Sequence, residues 1–237
     1  MLSLDLIVVM PVYNEQASVR KVVQEWFTEI ENWTENFIIL AIDDGSTDGT
    51  HSILERIREQ RGERLEVITR ENRGHGQSCM QGYRIAAERN ASFVMQIDSD
   101  GQCDPQYFFR LWRLREGYDV IYGVRKRRDD GMKRVIASRV LQMVVFAASG
   151  AWCADANVPY RLMKTKAVAP AFKNIPSNFF LANVGLATVL RKDKTIRHGT
   201  VPIHFRERYG GEPSVPLAKF GGRASELVTQ LRTIIYK

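Results

Sequence analysis

Runs of five to seven mostly apolar residues, rich in Ile and Val, alternate through the first half of the chain with stretches whose apolar positions recur every three or four residues. Residues 4–10, 37–42, 65–69 and 92–97 read as buried strands, since short β-branched runs bounded by turn residues fit strands better than helices. After the first, Ser18 is placed to cap a helix carrying Val19, Val22, Val23, Trp26, Phe27 and Ile30 on one face. Later helices carry Ile53, Leu54 and Ile57, then Met80, Tyr83, Ile85 and Ala86, and Pro105 opens another through Phe109, Trp112 and Leu114. Such alternation predicts an α/β fold with a mostly parallel sheet and helices on both faces. In sheets of this kind ligands sit beyond the carboxyl ends of the strands.

The second half is less regular. Residues 119–123 read as a short strand leading to Arg125, residues 135–148 and 181–190 as apolar helices, and residues 200–205 alternate like a strand. Residues 218–236 read as a terminal amphipathic helix, so the expected organisation is a main domain over 1–215 and a helical appendage over 216–237.

Polar clusters follow each early strand. They are Pro11-Val12-Tyr13-Asn14-Glu15, Asp43-Asp44-Gly45-Ser46-Thr47-Asp48-Gly49-Thr50, Asn72-Arg73-Gly74-His75-Gly76 and Asp98-Ser99-Asp100-Gly101-Gln102. The predicted sheet therefore brings Glu15, Asp44, Arg73, Asp98 and Asp100 to one edge. Asp98 and Asp100, one residue apart on a turn, suit a hard divalent cation that keeps positions open for phosphate oxygens, Mg2+ or Mn2+. Asp44 is placed to accept a base N–H, and Tyr13 beside Glu15 offers a stacking surface. Each cluster alone is equally a turn, because Asp and Gly are common turn residues; their order is what separates the readings.

In that order, each after its own strand, the four motifs resemble the inverting family 2 glycosyltransferases with the GT-A fold. The resemblance covers the first half of the chain and patches of the second. It implies that Pro11, Tyr13, Glu15, Ile42, Asp44, Arg73, Asp98, Ser99, Gln102 and Arg208 surround a nucleotide sugar, UDP- or GDP-linked. It also implies that Asp98 and Asp100 hold the metal against the diphosphate. Gly123-Val124-Arg125, Arg139 and the segment Asp155-Ala156-Asn157-Val158-Pro159-Tyr160-Arg161-Leu162-Met163 resemble the branch that makes polyprenyl-phosphate sugars, such as dolichol-phosphate mannose synthases. Residues 201–205, Arg208 and Gly210-Gly211-Glu212 resemble the loop that closes over its donor; Pro213-Ser214-Val215 stands where dolichol-type members carry a lysine. On that resemblance Arg125, Arg139 and Arg161 would hold an acceptor phosphate, and Asp100, Asp155, Arg125 and Arg139 would form the catalytic set. A phosphate monoester is already a nucleophile and needs only positioning by guanidinium forks. A saccharide or protein hydroxyl acceptor would need a base, for which Asp155 is placed, although Asp155 also reads as a helix or turn cap.

Charge and composition narrow the partners. The 237 residues carry a net charge of +7, with basic clusters at Arg125-Lys126-Arg127-Arg128, Lys133-Arg134 and Arg139, at 191–197 and at 206–208. A basic surface alone suits nucleic acid, anionic lipid or phosphorylated small molecules. Carboxylates after successive strands would repel nucleic acid, so no nucleic-acid partner is expected. Residues 140–152 and the terminal helix, beside basic residues, suit either an anionic membrane surface or packing on the core, with a separate membrane subunit as a further partner. Cys79, Cys103 and Cys153 are odd in number and far apart, which suggests neither a disulfide framework nor a zinc site. His75 and His198 lack a partner at metal-ligand spacing and read as structural or loop histidines. No leader pattern opens the sequence and no window of eighteen uninterrupted apolar residues occurs. The expected location is cytoplasmic, peripheral at the cytoplasmic membrane face.

Overall fold

The structure is a computed structural model, and it describes residues 4–128, 132–176, 179, 181–210 and 224–235. The first half supplies β1 (Leu6–Val12), β2 (Phe37–Asp43), β3 (Leu65–Thr69) and β4 (Phe93–Gln96); the second supplies β5 (Val120–Arg128), β6 (Arg161–Lys164) and β7 (His198–Phe205). These seven strands form one sheet in the order β3-β2-β1-β4-β6-β5-β7. β1 pairs in parallel with β2 and β4, β2 with β3, and β5 with β7, whereas β6 is antiparallel to both β4 and β5. The mostly parallel α/β sheet expected from the sequence is therefore present, with one reversed strand joining its halves.

Helices α1 (Val19–Glu31), α2 (Thr50–Arg61), α3 (His75–Glu88) and α4 (Phe108–Leu114) belong to the first half. Helices α5 (Met132–Ser149), α6 (Thr165–Phe172), α7 (Ala182–Lys192) and α8 (Ala224–Ile235) belong to the second. Every residue of β1 and β4 is buried, so both faces of the central sheet are covered. α1 buries the six apolar residues its spacing predicts, each large side chain contributing roughly 1.5–3 kcal/mol by leaving water. Among them Trp26 meets Phe108 edge-on with centroids 6.3 Å apart and lies 5.5 Å from Tyr160, tying the two halves together. α3 lies close on β1 because Gly82 has no side chain: a Cβ there would stand 2.3 Å from Val9 Cγ1.

Several boundaries differ from the sequence reading, each for a local reason. β1 runs past Pro11 to Val12, although proline cannot donate to a ladder. Pro11 C=O accepts from the Ser99 hydroxyl, and β4 has already ended at Gln96 opposite Val9, so no donor is needed on that side. β5 continues through the basic run to Arg128, since beyond Tyr122 it leaves β6 and pairs with β7 alone, with an irregularity between Arg125 and Arg127. β6 and α6 were not legible in the sequence: a four-residue strand and an eight-residue helix containing Pro170 leave too little periodicity. Ser18 precedes α1 but makes no capping bond, its hydroxyl being drawn into the site instead. The terminal helix is described over Ala224–Ile235; residues 218–223 and 236 of the expected span, and 211–215 of the expected closing loop, lie outside the described residues. Among the described residues no helix is long and apolar enough to cross a membrane.

Candidate active site

Four loops meet beyond the carboxyl ends of β1, β2, β3 and β4. The first turns at Asn14, which takes a left-handed φ of 54° and accepts the Thr47 N–H at 2.8 Å. Gln16 accepts the Gly49 N–H at 2.9 Å, and the Thr50 hydroxyl accepts the Glu15 N–H at 2.8 Å. The loops after β1 and β2 are thus laced together, and Glu15 is turned inward beneath them. Ile42 pairs with Pro11 across the ladder, while Tyr13 stays half-buried at the rim.

Asp44 organises the third loop. Its carboxylate accepts from Arg70 Nε at 2.8 Å, from the Arg73 N–H at 3.0 Å and from the Gly74 N–H at 2.7 Å. The Arg73 side chain itself is exposed. Gly45, at φ +76°, lets this loop approach, since a Cβ would stand 3.0 Å from the Asn72 nitrogen. Arg70 was not singled out from sequence; it follows β3 directly and lies just ahead of the Asn72–Gly76 motif.

The acidic centre lies between Glu15 and the turn after β4. The Ser18 hydroxyl donates to Glu15 Oε2 at 2.7 Å and lies 3.0 Å from Ser99 C=O, while Ser99 Oγ donates to Pro11 C=O at 2.9 Å. Gly101, at φ +85°, lies against the Tyr209 ring, where a Cβ would be 2.4 Å from Cδ2. The strand exit after β7 closes over this turn. Arg206 N–H donates to Gln102 C=O at 3.1 Å, Tyr209 N–H to Asp100 C=O at 3.0 Å, and Gln102 Nε2 to Arg206 C=O at 3.2 Å. Arg208 pairs with Glu15 and stands 3.5 Å from Asp100 Oδ2.

Electrostatics follow from this crowding. Burial pushes Glu15 up to about 7, against the pull of Ser18 and Arg208. Burial and the Asp98 charge push Asp100 up to about 6, although the Gln102 N–H and Arg208 oppose them. Burial works against ionisation of Asp98 as well. There the bonded His75 ring and the Arg125 guanidinium outweigh it and hold the carboxyl below the usual carboxylate range. One oxygen of each aspartate is used by the fold: Asp98 Oδ1 faces His75 Nε2 at 3.0 Å, and Asp100 Oδ1 accepts the Gln102 N–H at 3.0 Å.

No group of three or more His, Cys, Asp or Glu side chains forms a metal cage among the described residues. Two hard carboxylates on one turn are an incomplete oxygen set, which fits Mg2+ or Mn2+ completed by water and phosphate oxygens. Asp98 and Asp100 are the residues that would hold it.

The second half contributes differently from its sequence reading. Arg125 donates to Asp155 in a two-pronged pair, Nε to Oδ2 at 2.6 Å, and the guanidinium lies 5.0 Å over the Phe205 ring. Both side chains are about nine-tenths buried. Arg161, expected at an acceptor phosphate, is completely buried, and its guanidinium donates to the C=O groups of Val158, Ala156 and Asn183. That placement leaves it no face for a ligand, because each carbonyl bond replaces hydration the buried charge has lost. Arg139 is exposed on α5.

Comparison with known proteins agrees with this geometry. The sequence profile of Glycosyl transferase family 2 matches residues 7–168. The crystal structure of glucosyl-3-phosphoglycerate synthase from Mycobacterium tuberculosis with Mn2+, uridine diphosphate and phosphoglyceric acid superposes with a TM-score of 0.70 at 15% identity, covering 98% of this chain and 78% of that one. The same enzyme with Mn2+ and uridine-diphosphate-glucose gives 0.67 at 17% identity, covering 98% and 79%. A structure described as a mycobacterial protein gives 0.68 at 17%, covering 98% and 75%. Identities this low establish the shared fold, and the profile match over more than half the sequence establishes the family. The chain belongs to glycosyl transferase family 2 and is a nucleotide-sugar glycosyltransferase with a GT-A fold.

Proposed function

We propose that this enzyme transfers a hexose-type sugar, with inversion, from a UDP- or GDP-sugar to a polyprenyl phosphate at a membrane surface. Pro11, Tyr13, Ile42, Asp44 and the Arg73 loop wall the nucleotide side, with Glu15, Ser99 and Gln102 beneath. Asp98 and Asp100 hold the cation, and Arg208 reaches the donor diphosphate from the loop that covers the turn. When bound, Mg2+ or Mn2+ acts as a Lewis acid that offsets charge building on the departing nucleoside diphosphate. Of the solved structures named above, one contains Mn2+, uridine diphosphate and phosphoglyceric acid and another contains Mn2+ and uridine-diphosphate-glucose, which supports this division of the site.

The observation that carries the acceptor reading is the Arg125–Asp155 pair. A hydroxyl acceptor needs a base, and both carboxylate oxygens of Asp155 are already engaged by the Arg125 guanidinium. A phosphate acceptor needs none, and Arg139, exposed on α5, supplies positive charge on that side. Support for a lipid acceptor comes from α5 and the residues just after it. Five of the seven large hydrophobic side chains exposed among the described residues are Ile136, Val140, Met143, Phe146 and Trp152. With Lys126 and Arg139 exposed nearby, such a surface suits an anionic leaflet. The cysteines, all three buried and unpaired, suit the reducing cytoplasmic side.

Incubation with labelled UDP- or GDP-hexose, Mn2+ and vesicles bearing undecaprenyl phosphate tests this. Label extracted into organic solvent, abolished by EDTA, is the expected result. Label confined to water-soluble product with 3-phosphoglycerate overturns the lipid acceptor, and transfer that survives EDTA overturns the metal assignment. Vesicle flotation of the isolated chain separates direct membrane contact from anchoring by a membrane subunit.

A further inference from the structure

We infer that His75 is a positioning residue for Asp98, holding its carboxylate so that Oδ2 faces the cation; the inference rests on the metal site proposed above. His75 is the first residue of α3, and its backbone is fixed on both sides. Before it, the Gly74 N–H is bonded to Asp44 Oδ2 at 2.7 Å. After it, Gly76 packs on the start of α7, where a Cβ would lie 3.1 Å from the Ala182 Cβ. One turn along the helix, Cys79 Sγ lies 3.7 Å from His75 Nδ1. These contacts aim the ring at the turn after β4, where Nε2 stands 3.0 Å from Asp98 Oδ1.

Asp98 depends on this contact more than Asp100 depends on any side chain. Asp100 is fixed by a backbone donor, the Gln102 N–H at 3.0 Å. For Asp98 the other donor to Oδ1 is Gln96 Nε2 at 3.5 Å, the limit of a hydrogen bond. Gln96 is itself held from below by the Tyr83 hydroxyl at 2.5 Å, which also lies 3.2 Å from Asn183 Oδ1. Among the described residues no donor is bonded to Asp98 Oδ2. Without the ring, the carboxylate keeps one weak tether and its side-chain torsions are released. A partner that orients a metal-binding carboxylate in this way is worth about 10–100-fold in metal affinity.

Mn2+ binding to the nucleotide-free enzyme, read from the EPR signal of the free ion, tests the inference without reference to turnover. His75→Ala is expected to weaken Mn2+ by about tenfold or more while leaving the melting temperature unchanged, since the ring is half exposed. His75→Gln keeps an N–H donor of similar reach and is expected to restore most of the affinity. His75→Asn, polar but too short to reach Asp98, repeats the alanine loss and guards against a folding defect peculiar to alanine. Wild-type affinity in both His75→Ala and His75→Asn overturns the inference. Equal losses in the alanine and glutamine variants also overturn it, because the imidazole would then be a direct ligand. Wild-type affinity in Asp98→Asn removes the metal reading itself, a failure distinguishable from the other two.

Discussion

The two ends of the rim handle charge in opposite ways. Beyond β1 and β4, Glu15, Asp98 and Asp100 crowd together, and burial drives Glu15 to about 7 and Asp100 to about 6. Around β5 and β6 the two buried arginines already have partners: Arg125 is closed on Asp155, and Arg161 is spent on backbone carbonyls. A site short of positive charge is built to receive a cation, and strongly shifted carboxylates are where such function concentrates. A carboxylate closed on a guanidinium is not open to a hydroxyl, which is the basis for proposing an acceptor that arrives charged.

The sharpest way to break this contrast is to remove the donor-side carboxylates. Asp100→Asn is expected to lower transfer by about a thousandfold, the scale of losing electrostatic stabilisation of a leaving group, with no loss of thermal stability. Activity within tenfold of wild type would remove the asymmetry. On the other side, Arg125→Ala strands Asp155 at 8% exposure and is expected to cost about 3–5 kcal/mol in urea unfolding. The Arg125→Ala/Asp155→Ala double variant should recover part of that loss. Equal losses in single and double variants would show that the pair is not the unit proposed.

The pH dependence sharpens the comparison further. Glu15 binds its proton more tightly in the folded protein than its ordinary 4.5, so its ionisation costs stability: nothing below about pH 4.5 and fully above about 7. Glu15→Gln is therefore expected to stabilise the enzyme by about 1–3 kcal/mol at pH 8 and hardly at all at pH 4, measured by melting curves, while weakening donor binding. Asp100 must be ionised to hold a cation, so Mn2+ affinity should fall about tenfold per unit below about pH 6. The smallest effect on the fold belongs to α5. Val140→Glu with Met143→Glu should shift stability by less than about 0.5 kcal/mol per site, yet abolish flotation with anionic vesicles.

What the sequence made legible follows the same division. In the donor half, each motif comes just after an apolar strand, and the parallel pairing of those strands carries all of them to one rim, where Glu15, Asp44, Asp98 and Asp100 lie. Hidden were the internal ties: Ser18 reads as a helix cap but bonds Glu15, and His75 reads as a loop histidine but bonds Asp98. Both depend on separations in space that periodicity does not encode. In the second half, four-residue β6 is too short to show periodicity, so nothing in the sequence signals that Arg161 at its start, which the resemblance assigns to an acceptor phosphate, is completely buried. Arg125 and Asp155, thirty positions apart, could be named singly but not recognised as a pair.

The most direct test is calorimetric titration of nucleoside diphosphate into the enzyme with and without Mn2+, in wild type and in Asp98→Asn/Asp100→Asn. Tight binding in wild type that requires Mn2+, lost in the double variant, is the predicted result. Nucleotide affinity indifferent to both Mn2+ and the two aspartates would contradict the assignment of the donor-side carboxylates to a cation.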